Sequence, residues 1–394
     1  MSGARQPDVV VVGGGLIGTA TAWRLAEAGL DVTLVVGERS AAASRVAAGM
    51  LAPVTETTFT ERTLLALNQA SSARWPTFAA EVVEASGRPS GLRVSPTLSV
   101  ASDADDGARL RTFADYLDRH GLESERLTSR ECRAHEPLLA PTVRSGLLVP
   151  GDWSCDNRVL LEALQAAAEH AGVREVEGFA GRVESTADRV TGVLLTDGTT
   201  LSADRVVLAN GAWAGQVDGV PPVPVRPIKG QVLRLDPGRF PGPGLTVRAF
   251  SRGSEVYLVP RESGREVVVG ATVEEQGFDD RVTAGGVYEL LRDARQTIPM
   301  TAEYALAEVS VGWRPGTPDN APILGGGGLE GLTLATGHHR NGVLLTPVSA
   351  DVTARFVTSG TLDEVAAPFT RERFDRSPAP APAGARLRPV GSVR

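Results

Sequence analysis

The spacing of apolar residues changes character several times along the chain. Val9 to Val12 form an unbroken β-branched run after Asp8, the pattern of a short strand buried on both faces. Residues 16–28 then carry apolar positions at helical spacing, and residues 31–36 return to a β-branched run, so the first segment reads as one βαβ unit. Helical spacing recurs over 61–85, 107–120 and 159–171, the last with Asp156 or Asn157 as its N-cap. Beyond Val173 the pattern shortens to strands separated by turn residues, as in 192–199 and 205–209, and strands dominate to Gly270. A helix over 282–296, strands over 308–313 and 332–335, and a closing helix over 343–357 complete the order. No internal repeat is visible. From Arg376 onward a Pro-Ala-Pro-Ala-Pro string without apolar period reads as a disordered tail.

A chain of 394 residues exceeds what one hydrophobic core usually serves, which predicts two domains. Apolar residues at 42% and charged residues at 22% place it among ordinary globular proteins. The formal net charge of -7, with no clustered arginine run, argues against nucleic acid or acidic membranes as general partners. A small-molecule partner is expected instead. Cys132 and Cys155 are too few for a disulfide framework and lack metal-ligand spacing, so no metal is expected and a reducing cytoplasm fits. The apolar stretch 9–17 contains three glycines and follows Asp8; it suits neither a signal-peptide core nor a membrane span.

Gly13, Gly15 and Gly18 stand in G-x-G-x-x-G register between the first strand and the first helix. Such glycines permit a tight turn, let the backbone approach a pyrophosphate, and let helix and sheet pack closely. The helix N-terminus meanwhile offers N–H groups and partial positive charge. A dinucleotide is implied. The acidic residue expected at the end of the second strand is absent, because Val36 stands there and Glu38 follows in the loop. Glu38 either reaches the ribose from that loop or is an exposed carboxylate.

The turn does not separate NAD from FAD, but three later strings do. Ser44-Arg45-Val46-Ala47-Ala48-Gly49-Met50-Leu51-Ala52-Pro53, Gly312-Trp313-Arg314-Pro315-Gly316-Thr317-Pro318-Asp319 and Gly337-His338-His339-Arg340-Asn341-Gly342 resemble the FAD-dependent amino acid oxidases. Within that superfamily, which includes D-amino acid oxidase and sarcosine oxidase, the first and last strings are most similar to the glycine oxidases of thiamine biosynthesis. The resemblance spans about residues 8 to 357 by motif order. It implies an α/β and α+β fold: a discontinuous Rossmann-type FAD domain (1–90, 145–216 and 312–372) and a substrate domain built on an antiparallel sheet (91–144 and 217–311), with 373–394 as tail.

The same resemblance implies the site. FAD contacts would come from Gly13, Gly15, Leu16, Ile17, Gly18, Glu38, Ser44, Ala48, Gly49, Met50, Val176 and Gly211, and from Gly337, His338, Arg340, Asn341, Gly342 and Val343 in the loop before the last helix. That loop should present N–H groups and the helix dipole where negative charge gathers on the reduced flavin. Arg314 matches the family arginine that pairs two-pronged with the substrate carboxylate; otherwise it is a surface arginine at a turn. Arg340 resembles a second active-site arginine. Tyr257, before an apolar pair and Pro260-Arg261, would point its hydroxyl at the carboxylate, against the alternative of strand packing. Met50 would line the small pocket near the flavin, although methionine fills gaps in any core. Adjacent His338 and His339 diverge and lack a third ligand, so a structural loop role outweighs metal binding. His339 also stands where an aromatic residue is expected. Gly312 occupies the place of the cysteine that attaches flavin in sarcosine oxidases, which implies non-covalent FAD. Lys229, the single lysine, lies in a string beside the expected flavin domain and has no assigned role.

The activity implied is oxidation of glycine or another small amino acid to an imine, with dioxygen reduced to hydrogen peroxide and the imine passed toward thiazole synthase. Sarcosine, D-alanine and proline are rival substrates, a dehydrogenase is a rival chemistry, and a non-catalytic flavin-binding protein is a rival class. A homo-oligomer is compatible with the sequence.

Overall fold

The computed structural model describes residues 6–37, 42–251, 254–261 and 264–375. Glu38 lies outside the described residues, as does the tail from 376 to 394.

The first βαβ unit forms as its pattern predicts, with strands Val9–Val12 and Val32–Val36 parallel and helix Leu16–Glu27 between them. Val9 and Val11 face one hydrophobic core, while Val10 and Val12 face another. The unbroken valine run is therefore what a strand covered on both sides needs. This strand sits inside a six-stranded sheet ordered Ile323–Gly326, Leu332–Thr336, Val206–Leu208, Val9–Val12, Val32–Val36 and Arg174–Glu177. All its pairings are parallel except that of the first two strands. Helices Leu16–Glu27, Arg62–Ser86, Asn157–His170 and Thr346–Ser359 pack with one another over one face. A three-stranded sheet of Ala180–Thr186, Arg189–Leu195 and Thr200–Ser202 covers the other.

A second sheet has eight strands: Ala305–Gly316, Arg226–Asp236, Val267–Gly270, Ser254–Pro260, Thr246–Ser251, Thr97–Ala101, Ser145–Val149 and Glu125–Thr128. The expected antiparallel sheet is mixed, because Thr246–Ser251 runs parallel to Thr97–Ala101. Ser145–Val149 belongs here, paired with Thr97–Ala101, so the chain leaves this sheet after Val149 rather than before Ser145. Helix Ala284–Thr297 packs on one face through Leu290 and Ala294. On the other face Val232, Val259 and Val268 meet Val46 and Ala48.

The closing helix starts at Thr346, three residues later than its apolar spacing predicts. Pro347 has no N–H to return to the Val343 carbonyl, so it falls in the first turn, where that loss costs nothing. A 3-10 turn at His339–Asn341 fills the approach.

Residues 44–49 lie between the two sheets and are held by donors to their carbonyls. Asn157 Nδ2 donates to Ser44 O at 2.7 Å, Arg158 Nε to Arg45 O at 2.9 Å, and Arg261 Nη1 to Ala48 O at 2.9 Å. Arg261, only 5% exposed, also donates to Cys155 O and to Asn157 Oδ1. Arg261→Met fills the space but leaves three buried acceptors without their donor. A lost buried charged partner costs about 3–5 kcal/mol, so the melting temperature should fall by several degrees. Arg261→Lys should recover little, because a point charge cannot serve three acceptors in one plane. A melting curve unchanged in either variant would contradict this.

Candidate active site

One cavity of about 1180 Å³ extends from the glycine turn at residues 13–15 to Tyr257 and Arg314. Its far end follows from the turn. Gly13 has φ +119°, a left-handed conformation that glycine alone adopts freely. A Cβ at Gly18 would overlap the Gly13 carbonyl oxygen, so turn and helix pack backbone to backbone. A Cβ at Gly15 would lie 2.9 Å from Ser44 Oγ, and that hydroxyl accepts from Leu16 N–H at 2.9 Å. The helix start is thus open, glycine-lined and stapled to residue 44, an arrangement into which a pyrophosphate fits.

Of the residues singled out in the sequence, Gly13, Gly15, Leu16, Ile17, Ser44, Ala48, Gly49, Met50, Gly211, Tyr257, Arg314, His338, Arg340, Gly342 and Val343 lie on the cavity wall. Gly18, Val176, Gly337 and Asn341 stand behind it. Val176 is paired with Val35 inside the six-stranded sheet, and Gly178 to Gly181 form the wall there instead. Asn341, the last residue of the 3-10 turn, is buried. Three buried polar atoms on wall residues have no protein partner: Asn210 Oδ1, Trp313 Nε1 and His339 Nδ1. Unpaired buried polar groups are costly, and a polar ligand in the cavity would relieve them.

At the near end, Gly270 lies opposite Tyr257 in the register, and its missing side chain makes room for the phenol ring. Arg314 stands on the edge strand Ala305–Gly316 and packs its guanidinium over Gly230. Its Nη1 donates to Thr272 O at 3.1 Å and more weakly to Lys229 O at 3.5 Å. Among the described residues it has no carboxylate partner. Burial pushes the Tyr257 hydroxyl above its ordinary range, and Arg314, through its charge and a hydrogen bond, opposes that shift. At neutral pH this leaves a neutral phenol beside an uncompensated cation.

Arg340 is exposed and lies 3.7 Å from Glu61. His338 pairs with Ser349 at 2.9 Å, and burial lowers it to about 3. His339, at φ +45°, is lowered to about 4, first by burial and then by Arg314, Arg340 and Arg226. Both imidazoles are neutral at physiological pH. Lys229 is fully buried, bonded to Asp279 at 2.7 Å and to Arg281 O at 2.7 Å, with Glu274 at 3.7 Å. It therefore pins residues 274–281 rather than facing the cavity.

Sequence reasoning missed Glu56, Arg248 and Glu255 on the wall, together with Phe179 and Trp213. Trp213, Phe278 and Trp313 form one aromatic cluster with ring centroids 5.4 to 5.7 Å apart. Alternation placed Tyr257 on a strand, but only the fold shows Arg248 directly across from it. Among the described residues no group of three or more His, Cys, Asp or Glu could hold a metal, and no helix is long and apolar enough to cross a membrane.

A parallel nucleotide-type sheet beside a mixed eight-stranded sheet, with one long cavity between them, is the architecture of a flavin-dependent oxidoreductase. The sequence matches the family described as FAD dependent oxidoreductase over residues 8–356, and the chain belongs to that family. The glycine oxidase of Geobacillus kaustophilus is 34% identical over 375 residues, covering 93% of this chain and 97% of that protein. The bifunctional protein ThiO/ThiG of Trichormus variabilis is 34% identical over 381 residues, 95% of this chain and 56% of that protein. The chain thus spans about half the length of the bifunctional relatives it matches. Among solved structures, the Geobacillus kaustophilus glycine oxidase superposes with a TM-score of 0.83 at 31% identity, covering 93% of this chain and 98% of that one. An iminodiacetate oxidase from Chelativorans sp. BNC1 gives 0.82 at 26% identity, covering 92% and 98%.

The tight contact of Gly18 with Gly13 supplies a direct check. Gly18→Ala would force helix and turn apart, and the purified protein should carry well under half the flavin per chain of the wild type. Equal flavin content, read from absorbance after denaturation, would show that this packing does not shape the cofactor site.

Proposed function

We propose that this chain is an oxidase of glycine and other small amino acids that holds FAD without a covalent bond. The observation that carries the reading is Arg314: a cavity-wall cation with no carboxylate partner among the described residues, beside the Tyr257 hydroxyl, in the cavity that reaches the glycine turn. A carboxylate entering here meets a fixed guanidinium and a neutral phenol donor, which together replace the water it gives up. Met50, Trp313 and His339 also stand on the cavity wall.

FAD would lie with its phosphates at Gly13–Gly15 and its ring near Gly49, Met50 and the 338–343 loop, and would supply a two-electron acceptor for the α-carbon hydride. Gly312 has no sulfur for attachment. The chain's own residues bind and orient: Arg314 and Tyr257 fix the carboxylate, and the neutral His339 adds no competing positive charge. The substrate is oxidised to its imine, which water hydrolyses to glyoxylate and ammonia, while dioxygen is reduced to hydrogen peroxide. The family membership, the 34% identity to a glycine oxidase and the fold support this. The ThiO/ThiG relatives support a role in supplying the imine to thiazole formation, with a thiazole synthase as metabolic neighbour. The six-stranded sheet and its helices would form the FAD domain, and the eight-stranded sheet the substrate domain.

Losing the fixed partner of a partly buried charge costs on the order of 2–5 kcal/mol. Arg314→Ala should therefore lower kcat/KM for glycine by roughly 30-fold to several thousand-fold, at about 1.4 kcal/mol per decade, with FAD still bound. Arg314→Lys should rescue little. On methylamine, which has no carboxylate, wild type and Arg314→Ala should be equally poor. A parallel loss on both substrates, or loss of flavin, would remove Arg314 from the clamp.

A further inference from the structure

The clamp accounts for one end of an amino acid, and the wall beside it carries the opposite charge. Arg248 and Tyr257 are directly paired across strands Thr246–Ser251 and Ser254–Pro260, so their side chains leave the same face of the sheet. Arg248, 7% exposed, meets two carboxylates: Glu56 at 3.3 Å and Glu255 at 3.1 Å. One cation facing two anions leaves a net negative charge on this side, while Arg314 leaves a net positive charge on the other side of Tyr257.

The two carboxylates differ in exposure. Glu255 has half its side chain in water, but Glu56 has only 11%, so the field of Glu56 is the less screened. Its position is also built in. The buried Asp152 carboxylate accepts from Val54 N–H at 3.1 Å and Thr55 N–H at 2.6 Å, and Arg248 Nη1 donates to Thr55 O at 2.9 Å. The turn that carries Glu56 is thereby fixed from both sides. Of the other charges on the cavity wall, Glu274 accepts from Thr272 and Gln231 and lies near Lys229, Arg340 faces Glu61, Asp293 pairs with Arg292, and Glu289 is exposed to water on helix Ala284–Thr297.

We propose that Glu56 is the specificity residue for the cationic end of the substrate, so that the site takes a zwitterion with its carboxylate on Arg314 and Tyr257 and its ammonium group toward Glu56. The inference rests on the reading of Arg314 as the carboxylate clamp. Glu56 would thereby disfavour hydroxy acids of the same size, which bring no positive charge to its carboxylate.

The test uses the FAD-loaded enzyme, glycine as substrate and glycolate as a ligand of nearly the same size and shape that keeps the carboxylate and lacks the cation. Steady-state kinetics report KM for glycine, and perturbation of the flavin absorbance reports Kd for glycolate. A hydrogen bond to a charged group corresponds to roughly a 10-fold to 100-fold effect. Glu56→Gln should raise KM for glycine by that factor and change Kd for glycolate by less than about 3-fold. Glu56→Asp, which keeps the charge one methylene farther back, should fall between wild type and Glu56→Gln for glycine. It carries the same comparison if the Gln variant does not retain flavin. A merely structural role would weaken both ligands alike, and that result, or an unchanged KM for glycine, overturns the proposal. Wild-type enzyme that neither turns over glycine nor binds glycolate would instead overturn the clamp on which it rests.

Discussion

The cavity exists because residues 44–49 are suspended between two sheets by side chains that donate to their carbonyl oxygens. Asn157, Arg158, Arg234 and Arg261 all take part, and on the other side Ser44 Oγ accepts from the first N–H of helix Leu16–Glu27. Buried guanidinium groups are expensive unless their charge is answered. Here Glu266, Glu308 and Asp156 answer it: Arg234 pairs with Glu266, Arg158 with Glu308 at 2.6 Å, and Arg261 stands 3.5 to 3.7 Å from Glu266 and Asp156. Arg158 holds Glu308 down at about 2, so that carboxylate stays ionised through the physiological range. One segment thus couples the glycine-turn end of the cavity to the end at Tyr257 and Arg314, and its backbone is fixed by planar donors rather than by a ladder of its own.

Against that scaffold the near end of the cavity is electrically lopsided. Arg314 is anchored through carbonyl oxygens and has no carboxylate partner among the described residues, whereas Arg248 is outnumbered by carboxylates. Tyr257 lies between them, and charges of both signs act on its hydroxyl. Such a site is complementary to a small dipolar molecule before any contact is made, because the groups are held by turns and strands that do not depend on the ligand.

Local features of this arrangement were legible in the sequence. The βαβ unit, the glycine turn and a cap at Asp156 or Asn157, which the structure places at Asp156, depend on residues close together in the chain, and Arg314 stands out because its string resembles a known family. Contacts made across the chain were not legible. Nothing in residues 97–101 announces a parallel partner at 246–250, and nothing in Glu56 announces Arg248, 192 positions on. The start of the closing helix departs from its apolar spacing for a different reason: that spacing continues through Val343, but Pro347 decides where the α-helix begins.

On the proposed function, one cavity brings a small amino acid, held by its carboxylate, to a bound flavin. Anaerobic mixing of the purified yellow protein with glycine tests it without reference to any electron acceptor or downstream partner. The visible absorbance of the oxidised flavin should be bleached by glycine within the time of mixing and manual recording, and admitting air should restore it. A flavin that stays oxidised with glycine, sarcosine, D-alanine and proline alike would contradict the account.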